Sequence, residues 1–334
     1  MRSPTTFYPS FEPLPQNIDP CPLNWYTSLE YGLGILFLRR RHISKKDGGL
    51  ISISSILLCS VSVLIAAGIT VLVSSPLSAE SGEPRRIHPD FSVTPSELEE
   101  RTAQLPENIQ RAIRERPQYF LELIRRSMAL PDYLLRLVDK SHPLPEGYKP
   151  DSIVELSDYN MLNLNKNTLT LHSGCMPDLL AMNEAARRDG IELVISSTYR
   201  TYEYQKGLYE RYVKNYGQEE ADRFSARPGT SQHQLGTAID FGSITKEIAH
   251  TSQGRWLAEH AWKYGFSLSY PEGYEELTGY MWEPWHFRYI SRTGTRLQRE
   301  FFGDIQQHMT EFLHSHREYF EKALKSDIRD SQAP

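Results

Sequence analysis

Two short segments constrain this chain more than any other feature of its sequence. The first runs from Ser231 to Asp240 (S-Q-H-Q-L-G-T-A-I-D), and the second from Glu283 to His286 (E-P-W-H). They supply two imidazoles and a carboxylate, which together match the three protein ligands of a catalytic zinc site. We therefore predict that His233, Asp240 and His286 bind Zn²⁺. Glu283 lies close enough to His286 in sequence to take a proton from water beside the metal without binding it.

The spacing of the ligands predicts their local structure. His233 and Asp240 are seven residues apart, and an odd separation on one strand would place them on opposite faces. The chain must therefore bend between them, and Gly236 is the residue that permits a bend. The apolar pair 238–239 predicts a strand that enters a core at Asp240, and the aromatic run 285–290 predicts a second strand.

The two segments together resemble the signature of the VanY-type zinc D-alanyl-D-alanine carboxypeptidases, which share a fold with the hedgehog signalling domain. Further similar stretches are S-S-T-Y-R-T-Y-E-Y-Q at 196–205, Y-G-F-S-L-S-Y-P at 264–271, and the segments 137–140 and 144–150. The resemblance covers about residues 134–292, although Ser197-Thr198 stands where the family often has Gly. It implies an α+β fold in which a small antiparallel sheet, flanked by helices, carries the metal at one edge.

The resemblance also implies roles for individual side chains. Glu283 would be the catalytic base, and Arg200 would steady the substrate carboxylate or the developing oxyanion, which suits the planar fork of a guanidinium. Gln205 and Ser231 would line the substrate groove. The implied reaction is zinc-dependent removal of the terminal D-alanine from a peptidoglycan stem peptide.

Other activities fit the same motifs. An L,D-carboxypeptidase or a peptidoglycan endopeptidase of this family would use the same zinc site. A non-catalytic zinc-binding module, as in hedgehog, or a peptidoglycan-binding protein without turnover would belong to a different class. Glu283 and Arg200 together argue against a purely structural site, because such a site requires no base.

A second strong signal lies near the start of the chain. No charged residue occurs between Gly48 and Ala79, and the apolar core 51–73 is long enough to cross a bilayer as a helix. Basic residues at 39–46 precede it, which predicts a cytoplasmic N-terminus. We expect a single-pass anchor at 50–75 in the cytoplasmic (inner) membrane, with the catalytic domain on the external or periplasmic side. A cleaved signal peptide ending near Ala79 is the alternative.

The predicted organisation is a cytoplasmic tail (1–46), the anchor (50–75), a linker (80–92), a helical region (93–133), the zinc peptidase domain (134–292) and a C-terminal helical extension (293–334). Thr94 to Glu97 resembles a helix N-cap, and Pro106 and Pro117 divide the helical region into short helices. In the extension, apolar residues at helical spacing predict a helix that covers the core, or else contacts a partner or the membrane.

Net charge and cysteine content bear on the possible partners of the chain and on whether it forms a disulfide. The net charge of -5 gives no indication of a nucleic-acid partner, and the sequence has no glycine-rich phosphate-binding loop. Protein partners are not indicated. In the anchored topology Cys175 is the only exported cysteine, so we predict no internal disulfide. A catalytic role for Cys175 has no neighbouring pattern to support it.

Overall fold

The computed structural model describes residues 86–324 of the 334-residue chain. The predicted cytoplasmic tail and the predicted anchor at 50–75 lie outside the described residues. Between residues 86 and 324, no helix is both long enough and apolar enough to cross a membrane.

The described residues alternate between helices and short strands. The helices are α1 (Pro95–Thr102), α2 (Glu107–Glu115), α3 (Pro117–Met128), α4 (Asp132–Leu135), α5 (Met176–Arg188), α6 (Tyr202–Tyr216), α7 (Gln218–Phe224), α8 (Ser252–His260), α9 (Glu275–Thr278), α10 (Ser291–Phe301) and α11 (Gln306–Ala323). The strands are β1 (Ile153–Glu155), β2 (Asn163–Leu164), β3 (Thr170–His172), β4 (Val194–Ser197), β5 (Ala238–Phe241), β6 (Phe266–Leu268) and β7 (His286–Tyr289).

Five of these strands form one sheet in the order β2-β4-β5-β7-β6, and β1 and β3 form a separate antiparallel pair. The α+β class is confirmed, but the sheet is mixed and not purely antiparallel, because β2 pairs with β4 in parallel. Between β2 and β4 the chain passes through β3 and α5, and a connection of this length allows the next strand to run in the same direction.

The predicted helical region begins at a capping box. The Thr94 Oγ1 accepts a hydrogen bond from the Glu97 amide (3.4 Å), and the Glu97 carboxylate accepts one from the Thr94 amide (2.8 Å). Pro106 precedes α2 and Pro117 begins α3, where a missing amide hydrogen costs no helical hydrogen bond. The two prolines therefore divide this region into short helices, as predicted.

The C-terminal helix α11 covers the core, which confirms that prediction. Met309, Phe312 and Phe320 are buried, and the Phe312 ring lies 5.8 Å from the Phe120 ring of α3. At its end, Leu324 forms an antiparallel bridge with Phe91, which is fully buried. Phe91 falls in the stretch predicted as a linker, whose boundaries remain a prediction.

A buried guanidinium joins α4 to the sheet. Arg288 on β7 is 1% exposed, and its Nη2 donates to the carbonyl oxygens of Tyr133, Leu134 and Arg136. Burial lowers the pKa of Arg288 to about 10, which leaves it charged at neutral pH. Since the last turn of a helix leaves carbonyls without helical partners, this contact caps α4 from within the core.

Candidate active site

The register of three neighbouring strands places the first two candidate ligands together. Two ligands lie on the central strand β5 and its neighbour β7, and not on an edge strand of the sheet as expected. Asp240 of β5 is paired with His286 of β7 on one side and with Ser197 of β4 on the other. Directly opposed residues in an antiparallel pair have side chains on the same face of the sheet. Two ligands far apart in sequence are therefore brought into contact by backbone pairing alone.

The third ligand reaches the same point through the predicted bend. His233 lies on a 3₁₀ turn, Gln232–Leu235, which is followed by Gly236 with φ of 75°. A Cβ atom at position 236 would lie 3.0 Å from Ile153 Cδ1 and 3.1 Å from Pro150 Cγ. Glycine is therefore favoured here by both its backbone conformation and the close packing.

The metal-binding atoms of the three residues converge, and the guanidinium of Arg200 contacts the same Asp240 oxygen that faces His233. The Nδ1 of His233 lies 2.6 Å from the carbonyl oxygen of Thr198 and donates to it, so its Nε2 carries the lone pair. That Nε2 lies 3.2 Å from one oxygen of Asp240, and the Nδ1 of His286 lies 3.0 Å from the other. Two acceptor atoms that face each other at 3.2 Å in a buried site repel each other, and a cation bound to both stabilises this arrangement. The ligand atoms lie within 4.8 Å of one another and fit a metal ion.

Burial and neighbouring charges set the protonation of this cluster. Burial lowers the pKa of His233 to about 4, assisted by the positive charge of Arg200. For Asp240, burial acts to raise the pKa, but His233, His286 and Arg200 together hold it well below its usual range. Both groups are therefore in their metal-binding protonation states at neutral pH.

Glu283 lies beside the cluster. Its carboxylate is 3.7 Å from the Nδ1 of His286, and the side chain is buried. The turn that holds it is fixed at both ends, because its amide donates to the Tyr270 carbonyl and its own carbonyl accepts from the His286 amide. Burial raises the pKa of Glu283 well above its usual value, and repulsion from Asp240 raises it further.

Arg200 reaches the cluster from the loop that follows β4. Its Nη2 donates to Asp240 (2.7 Å) and to Ser197 Oγ (2.8 Å). The side chain is 19% exposed, so the guanidinium can meet a ligand from solvent while it contacts Asp240.

The two predicted groove residues lie deeper than their assigned roles suggest. Ser231 is buried, and its Oγ accepts from the His233 amide, which caps the 3₁₀ turn. Gln205 is also buried; its Nε2 donates to the Ala226 carbonyl, and its Oε1 has no hydrogen-bond partner among residues 86–324. The structure places both close to the segments that carry the ligands, and their contact with substrate remains a prediction.

Three residues that support the site were not predicted. Thr198 orients His233 through its main-chain carbonyl, which no sequence pattern reveals. The ring of Tyr270 lies 4.9 Å from the His286 ring. The Oε1 of Gln232 lies 3.2 Å from the Nε2 of His286. The position of Gln232 between Ser231 and His233, inside the first motif, was the sequence signal available for it.

A second cluster and a lone thiol do not form comparable centres. The second cluster consists of His88, Asp90 and Glu122, which are close enough to share an ion. Hydrogen bonds from Arg125 and, to a smaller extent, from Arg126 lower the pKa of Glu122 to about 2. Two guanidinium groups thus already neutralise that carboxylate. Cys175 is a buried free thiol whose pKa is raised by burial, so it lacks the thiolate that nucleophilic catalysis requires.

Two imidazoles and a carboxylate at the centre of a mixed sheet, with a second carboxylate beside them, define the class of metal-dependent hydrolases. The model of the VanY family, described as D-alanyl-D-alanine carboxypeptidase, matches residues 168–292. VanXYC of Enterococcus gallinarum, a bifunctional D-Ala-D-Ala dipeptidase and D-Ala-D-Ala carboxypeptidase, is 31% identical over 167 residues, which span 46% of this chain and 82% of that relative. The chain belongs to the VanY family of D-alanyl-D-alanine carboxypeptidases.

Two further similarities extend the comparison. The putative carboxypeptidase YodJ of Bacillus subtilis (strain 168) is 28% identical over 277 residues, which span 79% of this chain and 97% of YodJ. Among solved structures, a mutant of the vancomycin-resistance D,D-pentapeptidase VanY, from a VanB-type cassette and in complex with Zn(II), is 29% identical with a TM-score of 0.45. That match covers 54% of this chain and 99% of the other.

Proposed function

We propose that this protein is a membrane-anchored, zinc-dependent D,D-carboxypeptidase that removes the terminal D-alanine of peptidoglycan stem peptides. The observation that carries the proposal is the convergence of lone pairs from His233, Asp240 and His286, with Glu283 adjacent to the cluster. Membership of the VanY family supports the reaction type.

The donor set fits zinc. The Nε2 of His233, the Nδ1 of His286 and one Asp240 oxygen would hold the ion, and three protein ligands leave a coordination position open. When bound, zinc supplies Lewis acidity, which polarises a carbonyl group and acidifies water. Because His233 is neutral and Asp240 is ionised at neutral pH, binding displaces no proton from either of these two ligands.

Glu283 carries the proton transfers. Its carboxylate takes a proton from the attacking water, and the water oxygen forms a bond to the scissile carbonyl carbon. As the C–N bond breaks, Glu283 returns that proton to the leaving amine, so free D-alanine and a shortened peptide are released. The raised pKa of Glu283 suits both steps, because a group that first accepts and then returns a proton at neutral pH works best when its pKa is near neutral.

Arg200 provides the cationic contact that a carboxypeptidase requires. The terminal carboxylate distinguishes the chain end from an internal bond, and a partly exposed guanidinium beside the ligand Asp240 can bind it. This contact favours exopeptidase activity over the cleavage of cross-links. It does not distinguish D,D- from L,D-specificity, since both substrates end in a carboxylate.

The activity is tested by incubating the detergent-solubilised full-length protein with stem pentapeptide, stem tetrapeptide and a cross-linked muropeptide dimer. Mass spectrometry should show loss of one alanine from the pentapeptide, abolished by a chelator and restored by zinc. Cleavage of the tetrapeptide alone would indicate an L,D-carboxypeptidase, and cleavage of the dimer would indicate an endopeptidase. No metal-dependent cleavage of any of the three would refute the enzymatic proposal.

The anchor is a separate part of the proposal, supported by the uncharged run that follows the basic residues at 39–46. Alkaline phosphatase fused after residue 90 should be active, because it reaches the external side, while a fusion after residue 46 should be inactive. The reverse pattern would refute the predicted topology. Release of the mature protein from membranes at high pH would favour the cleaved signal peptide.

A further inference from the structure

The Nε2 of His286 faces a closed triangle of hydrogen bonds. The Gln232 Nε2 donates to the Gln306 Oε1 (3.2 Å), and the Gln306 Nε2 donates to the Ser269 Oγ (3.2 Å). The Ser269 hydroxyl donates in turn to the Gln232 Oε1 (2.7 Å), the same oxygen that lies 3.2 Å from the His286 Nε2. Each corner is at most 4% exposed, so water cannot easily replace a lost partner.

In the structure, the triangle turns the oxygen end of the Gln232 amide toward the histidine. A glutamine side chain can present either its oxygen or its nitrogen, and the two orientations have nearly the same shape. The oxygen of Gln306 holds the nitrogen of Gln232, which turns the Gln232 oxygen toward His286. That oxygen requires a donor, so the proton of the imidazole lies on Nε2 and the lone pair on Nδ1, toward Asp240.

Gln306 comes from outside the part of the chain that the family model matches, residues 168–292. It is the first residue of α11, and the buried side chains of Met309 and Phe312 fix that helix against the core. The carbonyl of Gln306 also accepts from Thr310 Oγ1 (3.0 Å), which ties its turn to the next. The C-terminal helix thus extends from the core to the metal-ligand histidine.

We propose that Gln306 is a positioning residue of the metal centre, which sets the Gln232 amide and through it the metal-binding nitrogen of His286. This inference rests on the proposed zinc site. Hydrogen-bonding partners of ligand histidines commonly change metal affinity about 10- to 100-fold when they are removed. Gln306 acts on His286 through one intervening amide, that of Gln232, so it orients the histidine without contacting it.

The test compares the zinc dissociation constants of full-length variants by competition with a chromogenic chelator. Gln306→Met, which keeps the size and loses both hydrogen bonds, should bind zinc about 10- to 100-fold more weakly. The matched control is Gln307→Met on the same helical turn, because Gln307 is also buried but donates to Asp139 and Glu311. Both variants should melt at a lower temperature, but only Gln306→Met should lose zinc affinity.

A second comparison separates orientation from general destabilisation. In a Gln232→Glu background, the side chain at position 232 offers an oxygen to His286 in either orientation. Gln306→Met should therefore no longer weaken zinc binding in that background. An equal loss of affinity in both backgrounds, or in Gln306→Met and Gln307→Met alike, would overturn the inference. If Gln306→Met fails to fold, Ser269→Ala opens the same triangle and carries the same expectations.

The outcomes also separate this inference from the proposed function. Wild-type protein that binds zinc and shortens the pentapeptide, together with unchanged affinity in Gln306→Met, would refute only the role of Gln306. Wild-type protein that binds no zinc would refute the proposed metal site, and the inference with it.

Discussion

The substitution Glu283→Gln separates the base from the ligands. Glutamine keeps the shape of the side chain, so the turn between Tyr270 and His286 should be retained. Because Glu283 lies outside the ligand group, the variant should bind zinc with unchanged stoichiometry. Loss of a general base typically costs about 10²- to 10⁴-fold in rate. At about 1.4 kcal/mol for each tenfold change, this is about 3–6 kcal/mol of transition-state stabilisation.

The same substitution has a predictable effect on the stability of the metal-free protein. The folded-state pKa of Glu283 is raised above its unfolded value, so between these two pKa values the folded state holds a proton that the unfolded state releases. The free energy of unfolding therefore falls as pH rises above about 4.5, the ordinary value for a glutamate. Glutamine removes this dependence. Metal-free Glu283→Gln should consequently be more stable than metal-free wild type at neutral and alkaline pH.

Three measurements test this reasoning: pentapeptide turnover, zinc content after dialysis, and urea unfolding of the metal-free proteins at several pH values. Glu283→Asp is the control for charge, since it restores a carboxylate but shortens its reach. Turnover by Glu283→Gln within tenfold of wild type would remove Glu283 from the proton transfers. Loss of zinc from this variant would instead make Glu283 a ligand.

Further substitutions test the remaining parts of the site. His233→Ala should lose both zinc and activity, measured by metal analysis and turnover, whereas a full zinc content would show that the ligand set is wrong. Gly236→Ala should destabilise the protein by about 1–2 kcal/mol, measured by urea unfolding, because position 236 has φ of 75°. The same variant should also bind zinc more weakly, since His233 lies on the turn that Gly236 ends. Arg200→Lys should raise KM for the pentapeptide more than it lowers kcat, because a lysine lacks the bidentate fork, and an unchanged KM would place Arg200 outside substrate binding. The free energy of unfolding of metal-free wild type should fall as pH falls from about 6.5 to about 4, because His233 binds a proton in the unfolded chain but not in the folded protein. His233→Gln should reduce this fall. If the pH dependence of unfolding is the same for wild type and His233→Gln, a buried neutral His233 is refuted.

The fold class and the metal cluster could be predicted from the sequence because both depend on local patterns. The bend at Gly236 followed from the odd spacing of His233 and Asp240, and the strands followed from short apolar runs. The parallel pairing of β2 with β4 was missed, because a two-residue strand has too few residues for a periodic signal.

The supporting contacts of the site are where sequence reasoning was least informative. Thr198 acts through a main-chain atom, which every residue possesses. Gln306 contacts a segment 74 residues away, and such a pairing is decided by the packing of α11 and not by any local motif. Arg200 was expected to meet substrate, but its contact with Asp240 depends on where β4 ends beside β5.

The bridge between Phe91 and Leu324 has a consequence for how the protein is made. Ser92 donates to the Ala323 carbonyl across a sequence separation of 231 residues, so this contact forms only after α11 has been synthesised. Closing such a long loop is slow, because its entropy cost is met before the contact forms. The pairing of Phe91 with Leu324 therefore cannot form on a chain that ends before α11.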